Sequence, residues 1–273
     1  MTSLRSPEAL TRARQAARWQ RLLPVVPFAV LVVAWLVGWA IVRPSPATLP
    51  SVAAVAGRLA ELATSGELLA HVGASMGRMA LAVTVGVVTG VALGLVVGLN
   101  RVVARMVEPL ATFFTAISGI VWLPLAIVWF GIGTETVVFI IWNSIFFIVF
   151  ANTVLGVRSV PPVLEAAVRT LGGGWWHVVR QVIVPGALPH IVSGLRSGIG
   201  FAWRALIAAE IIGATAGLGA MIYRAAEYLR SDTIIGGNLV IGLLGLAIDL
   251  LILVPIERRT VQRWGLVSAA SKV

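Results

Sequence analysis

The chain has 273 residues, 59% hydrophobic and 12% charged, with a mean hydropathy of +0.97; ordinary globular domains carry roughly 25% charged residues, so the composition excludes a soluble domain and indicates a polytopic membrane protein. The formal net charge of +10 sits in short clusters at the ends of apolar runs, a membrane-topology pattern that argues against a nucleic-acid binder. Cysteine is absent, which excludes disulfides and thiolate metal sites, and the sole lysine, Lys272, lies in the C-terminal tail, so a P-loop is excluded as well.

A spanning helix needs about 20 mostly apolar residues, and six such runs are predicted. Residues 1–21 form a basic arm with Arg5, Arg12, Arg14, Arg18 and Arg21, followed by a first span at 22–42. That run is longer than the roughly 7 to 15 residues of a signal-peptide core, which favours a retained anchor. Residues 43–71 form an outer segment: Pro44, Pro46 and Pro50 stop the helix, and Val52, Val55, Leu59 and Leu62 recur at helical spacing, predicting a short helix at the membrane surface.

The core, 72–256, holds the other five spans. The second, 72–99, carries Gly86, Gly90, Gly94 and Gly98, a small-residue ladder that lets another helix approach closely. The third, 110–130, contains Pro124 and is expected to kink there. A turn at 131–135 leads to the fourth, 137–157, and the fifth and sixth follow at 191–214 and 236–256. Arginines then fix the sides: the arm, Arg101 and Arg105, Arg158, Arg169 and Arg180, Arg196, and the tail 257–273 share one face of the membrane, predicting cytoplasmic termini.

Between the fourth and fifth spans lies a polar island. Leu164, Ala167, Val168 and Leu171 form one apolar helical face, with Glu165 and Arg169 expected to pair at i,i+4 on the other. Gly172, Gly173 and Gly174 end that helix, and Trp175, Val178, Val179 and Val182 restart the period opposite His177, Arg180 and Gln181. Pro185 and Pro189 mark the return to the membrane. Spacing alone leaves two readings open: an interfacial connector, or a docking surface for a soluble partner that supplies energy.

The island resembles the EAA loop of binding-protein-dependent ABC transporter permeases. Gly172, Ile183 and Pro185 match its pattern in type and spacing, and Ala187-Leu188-Pro189 continues the match. The usual glutamate position holds Ala166, with Glu165 one residue earlier, about 100° around a helix. Leu49-Pro50-Ser51, Trp129-Phe130-Gly131-Ile132-Gly133, Gly194-Leu195-Arg196, Ala208-Ala209-Glu210 and Gly217-Leu218-Gly219 are similar to the nitrate/sulfonate/taurine branch of that family.

The resemblance implies an all-α, six-span permease subunit of an ATP-binding-cassette importer in the bacterial inner membrane, with 158–189 as the ATPase-coupling loop. Its coupling residues would be Glu165, Ala166, Ala167, Arg169, Gly172 and Pro185. It further implies a homodimer, two cytosolic ATPase subunits that hold the ATP and Mg while this chain holds no cofactor, and an extracytoplasmic solute-binding protein that delivers a small anion of the sulfonate, nitrate or aromatic carboxylate type. The alternatives are a secondary transporter driven by an ion gradient, against which no inverted repeat is visible, and an intramembrane enzyme, for which no nucleophile and base set is present.

Ionisable residues inside the spans are the remaining candidates. Arg204 and Glu210 lie in the fifth span, and an arginine at mid-helix costs about 2.5–3.5 kcal/mol on insertion scales. Both are candidate pathway residues; the alternative is a structural ion pair of Arg204 with Glu210 or Asp249. Trp203, Asn143 and Asn152 are candidate pathway residues that also fit ordinary helix packing. Arg78, near the outer end of the second span, is expected to snorkel to the surface. His71, His177 and His190 are scattered and form no metal-ligand pattern.

Overall fold

The computed structural model describes residues 26–260, with side chains to Glu257. The basic arm 1–21, residues 22–25 of the first span and residues 261–273 of the tail lie outside the described residues. Within them the chain is all-helical.

Three long helices make the frame. Helices α3 (Glu67–Leu99), α6 (Thr134–Arg158) and α9 (Val184–Gly213) pack with α6 in the middle. Glycines four apart share one helical face, and the ladder on α3 faces α6. A Cβ built at Gly86, Gly94 or Gly98 would fall 2.4 Å from Ile145, 2.6 Å from Thr153 and 2.7 Å from Val157, and one at Gly90 would lie 3.2 Å from Val149. Four successive turns of α6 thus fill the space the missing side chains leave. On its other side α6 meets α9 by the same device, with Gly194 against Asn152 and Gly198 against Ile145. Ile140, Ile141, Ile145 and Val149 are fully buried, as expected of a helix apolar all round.

Helix α1 (Val26–Val42) is exposed along its length and is tied to the chain by Trp35, whose indole N–H donates to the Pro50 carbonyl at 3.2 Å. Helix α2 (Val52–Thr64) starts at Ser51, whose hydroxyl accepts from the Ala54 N–H at 3.1 Å. Its apolar face does not lie free at a membrane surface as its pattern predicted. Val55 and Leu62 are buried, Leu62 packing with Leu218 and Met221 of α10 (Leu218–Glu227) and Leu59 covering Gly236 of α11 (Ser231–Ile248).

The third span differs most from expectation. It is broken into α4 (Arg101–Ala116), a 3-10 turn (Gly119–Trp122) and α5 (Leu123–Phe130), with an 86° bend between the two arms. Pro124 is not the kink. It occupies the second position of α5, where a helix needs no N–H, and the break falls earlier, at Ile117 and Ser118. Four stretches are long and apolar enough to cross a membrane: Glu67–Leu99, Thr134–Arg158, Trp175–Gly213 and Ser231–Glu257. The bent pair makes a fifth, and α1 is the described part of the predicted first span.

The island folds as helix, glycine break, helix. Helix α7 (Pro162–Thr170) ends at Gly172, whose φ of +84° is the left-handed conformation expected of a glycine cap. Gly172 N–H donates to Arg169 O at 3.0 Å and Gly173 N–H to Val168 O at 2.9 Å, the paired bonds of a Schellman motif. The predicted return at Pro185 and Pro189 is not a break. Helix α8 (Trp175–Val178) continues through a five-residue π turn (Val179–Ile183) into α9, so the helix that carries the fifth span begins at Trp175 rather than 191. A second π turn (Asp249–Leu253) joins α11 to α12 (Val254–Thr260). Each π turn is followed by Val-Pro, at Val184-Pro185 and Val254-Pro255. Proline removes a donor and crowds the carbonyl four residues back, and a wider turn accommodates both effects.

Candidate functional site

Glu210, on the last turn of α9, is fully buried, and so is most of Arg78 at 8% exposure. The Arg78 guanidinium donates to Glu210 Oε1 at 2.8 Å and to the Ala216 carbonyl at 2.5 Å, and its Nε donates to Thr134 Oγ1 at 3.3 Å. Ser75 Oγ donates to the same carboxylate at 2.8 Å, and the Gly219 N–H does so at 3.1 Å. Ser75 in turn accepts from the Leu218 N–H at 2.9 Å, and His71 Nδ1 accepts from the Gly217 N–H at 3.1 Å. His71, Ser75 and Arg78 share one face of α3 at helical spacing, so one carboxylate ties α3, α6, α9 and the 214–219 loop together. One expectation is corrected here: Arg78 does not snorkel outward, because Glu210 offers it a charged partner inside the bundle. Glu210 itself is fully buried and held by Arg78, Ser75 and Gly219. A Cβ at Gly217 or Gly219 would strike the Glu210 side chain at 2.3 Å and 2.8 Å, which is why this loop reads Gly-Leu-Gly.

Arg204 is not paired with Glu210, nor with Asp249, which instead meets Arg196 at 3.5 Å while Glu257 binds the same guanidinium. Among the described residues Arg204 has no carboxylate partner; its guanidinium carbon lies 5.6 Å from the Phe201 ring centroid. It lines a hollow of about 600 Å³ together with Asn143 and Ser144 of α6 and Thr115, Ser118 and Gly119 at the break of the third span. Asn143 lies nine residues from the Thr134 end of α6 and Arg204 nine from the Gly213 end of α9. Those ends are joined by Gly133 N–H donating to Gly213 O at 2.9 Å. At 1.5 Å per residue both side chains start about 14 Å in, near the middle of a hydrocarbon core about 30 Å thick.

The break itself belongs to this site. Non-helical backbone at membrane depth is tolerated where it lines a cavity, and Ile117 and Ser118 do so. A Cβ at Gly119 would lie 2.5 Å from Ser144 Oγ, so glycine lets the broken segment close onto α6. The Asn143 side chain makes no hydrogen bond among the described residues, so its amide donors and acceptor are not taken up by them. The structure brings Arg204 and Asn143 together and separates them from the other candidates. Trp203 packs on Gly245 of α11 and, with Arg204, borders a neighbouring hollow of about 490 Å³. Asn152 donates to the Ile148 carbonyl at 2.8 Å and packs against Gly194. Sequence reasoning missed Ser144, Thr115 and the 117–119 break, whose one local signal was Ser118-Gly119.

In the island, the expected Glu165–Arg169 pair does not form. Arg169 lies 5.9 Å from the Trp175 ring centroid instead, a cation–π contact across the glycine break, while Glu165 lines a separate hollow. Ala166, Ala167 and Arg169 are exposed, and Leu171 and Trp176 stand out at 88% and 69% exposure. Val178, Val179 and Ile183 are buried against Val157 and Ala187, which fixes the island to the frame.

Residues 86–257 match the family model of the binding-protein-dependent transport system inner membrane component. The chain is 34% identical to the taurine transport system permease protein TauC of Escherichia coli (strain K12), over 89% of this chain and 92% of that one. It is 29% identical to the putative aliphatic sulfonates transport permease protein SsuC of Bacillus subtilis (strain 168), over 86% and 85%. In fold it is similar to the MetNI methionine ABC transporter in an inward-facing conformation, with a TM-score of 0.56 at 20% identity, covering 69% of this chain and 95% of that one. With a matched segment that carries the α6–α9 frame, the island and the Arg204 hollow, the chain belongs to the family of binding-protein-dependent transport system inner membrane components.

Proposed function

We propose that this permease component conducts a small anion of the sulfonate, nitrate or carboxylate type, and that the solute passes the hollow at Arg204. The observation that carries this reading is a mid-span arginine without a carboxylate partner among the described residues, facing a hollow where a membrane helix is broken. Uncompensated charge at this depth is costly unless it serves a wet path. Arg204 supplies the counter-charge, and Asn143, Ser144 and Thr115 supply hydrogen bonds to oxygens. The relatives named for taurine and sulfonates support an oxyanion, whose planar or tetrahedral oxygens suit a guanidinium.

The working assembly in this reading is two copies of the chain, two cytosolic ATPase subunits that hold ATP and Mg, and an extracytoplasmic solute-binding protein, with the termini and 158–189 in the cytoplasm. The ATPase docks on the exposed surface of α7 and α8, where Ala166, Ala167, Leu171 and Trp176 offer apolar contact and Arg169 and Glu165 offer charge. The Gly172 cap holds the angle between the two short helices. Motion then has a direct route, because α8, the π turn containing Arg180, Pro185 and the Arg204 turn lie on one continuous helix, Trp175–Gly213. This is rigid-body switching of packed helices.

The test is uptake in proteoliposomes containing the full complex, with taurine or an alkyl sulfonate as solute. Arg204→Gln is expected to lower uptake by about tenfold or more, equivalent to about 1.4 kcal/mol, with the complex assembled and its ATPase active. Unchanged uptake in that variant would remove Arg204 from the path. Uptake by wild type that needs an ion gradient and no ATP would replace the importer with a secondary transporter.

A further inference from the structure

A second hollow, also about 600 Å³, lies well apart from Arg204, between the α3–α4 corner and the α7–α8 segment. Its charged lining is Arg101 and Arg105 of α4, Arg158 at the end of α6, and the carboxylates of Glu108 and Glu165. Glu108 is taken up by an ion pair with Arg158. Arg101 and Arg105 are exposed, sit one turn apart on the same face of α4 and have no ion pair among the described residues. With three arginines against two carboxylates the hollow has a positive excess, and that excess lies in the unpaired residues.

The position and surroundings of the hollow select the occupant. Arg101 follows directly on Asn100 and the end of the 33-residue apolar α3, and Arg158 is the last residue of α6, so the arginines mark the level where two spans leave the hydrocarbon. Half-exposed Trp175 stands on the rim, at the depth tryptophan favours. Running from this mouth along α4, Val102, Met106, Leu110 and Phe113 are exposed at intervals of four, four and three residues, forming one apolar stripe. A soluble phosphate would use the arginines and leave the stripe bare; a lipid uses both.

We propose that this hollow holds the headgroup of an anionic phospholipid, its phosphodiester bridging Arg101 and Arg105 and an acyl chain lying along Val102, Met106, Leu110 and Phe113. Basic pockets between membrane helices bind such headgroups through the same combination of focused charge and apolar wall. A net-neutral headgroup leaves the positive excess of this lining, three arginines against Glu108 and Glu165, uncompensated. The proposal is independent of the solute and of the role of Arg204.

Native mass spectrometry of the whole transporter complex, purified in mild detergent from membranes containing phosphatidylglycerol, cardiolipin and phosphatidylethanolamine, tests it. Wild type is expected to retain phosphatidylglycerol or cardiolipin, R101Q/R105Q to retain about tenfold less (about 1.4 kcal/mol), and R101K/R105K and the distant Arg230→Gln to behave as wild type. Washing with inorganic phosphate is expected to leave the lipid in place. Equal anionic lipid in the R101Q/R105Q complex, none in wild type, retention of phosphatidylethanolamine alone, or displacement by phosphate would each overturn the proposal. So would loss of the ATPase subunits from R101Q/R105Q with lipid retained, which would assign the two arginines to a protein partner.

Discussion

Arg78 and Arg204 both lie in membrane-spanning helices, and their surroundings are opposite. Arg78 is nearly buried and reaches a carboxylate, a hydroxyl and a carbonyl, each from a different part of the chain. Arg204 has one aromatic ring and a hollow. On the proposed reading, the contrast separates structural from functional charge by how completely each is satisfied, where position in a span alone would have grouped them. A charge with every partner built in holds helices together; one held short of partners in a hollow retains binding capacity for a visitor.

The sharpest way to break this contrast is Glu210→Ala, which leaves the Arg78 guanidinium without its carboxylate and the Ser75 hydroxyl and Gly219 N–H without their buried acceptor. Removing one partner of a buried pair destabilises by about 3–5 kcal/mol, so the purified complex is expected to lose most of its folded yield; a wild-type melting curve would show the node to be ornamental. Next comes Gly94→Leu, which drives a side chain into Thr153 where even a Cβ would lie at 2.6 Å. Overpacking of this kind costs about 1–3 kcal/mol, read as a lower melting midpoint. Replacing both charges of the node, Arg78→Met with Glu210→Leu, is expected to recover most of the stability lost in Glu210→Ala, because matched apolar substitution of a buried pair is often close to neutral; no recovery would mean that the neighbouring Ser75 and Gly219 bonds carry the node. Smallest is the stability change of Arg204→Gln, within about 0.5 kcal/mol as for residues away from packed features. A large fall in melting midpoint there would make Arg204 structural after all.

The same two regions show what a sequence discloses. The glycine ladder was legible as a packing face because its spacing is local, but its partner, α6, was not, since many helices could fill a small-residue groove. The need of Glu210 for a partner was legible; that Arg78, 132 residues away in sequence, supplies it depends on how α3 and α9 flank α6. Local rules also competed. Glu165 and Arg169 had the spacing of an ion pair, yet the Gly172 turn brings Trp175 over Arg169, and the ring replaced the carboxylate. Pro124 suggested a kink where proline in fact opens a helix, and the real break needed only Ser118-Gly119 and a wall of α6 to close against. Gly172 was read correctly because a left-handed cap is a single-residue property.

The two π turns set a phase relation. A π turn is in effect one residue inserted into an α-helix, and one residue corresponds to about 100° of rotation and 1.5 Å of advance. The Val179–Ile183 turn therefore fixes the compass bearing of Trp175 and Trp176 relative to Arg204 on the same continuous helix. Shorten it by one residue and the island would point about a quarter-turn away from its present direction while every residue type in it stayed the same. The direction in which the α7–α8 surface points is thus encoded in the number of residues preceding Pro185, a property of chain length rather than of side-chain chemistry.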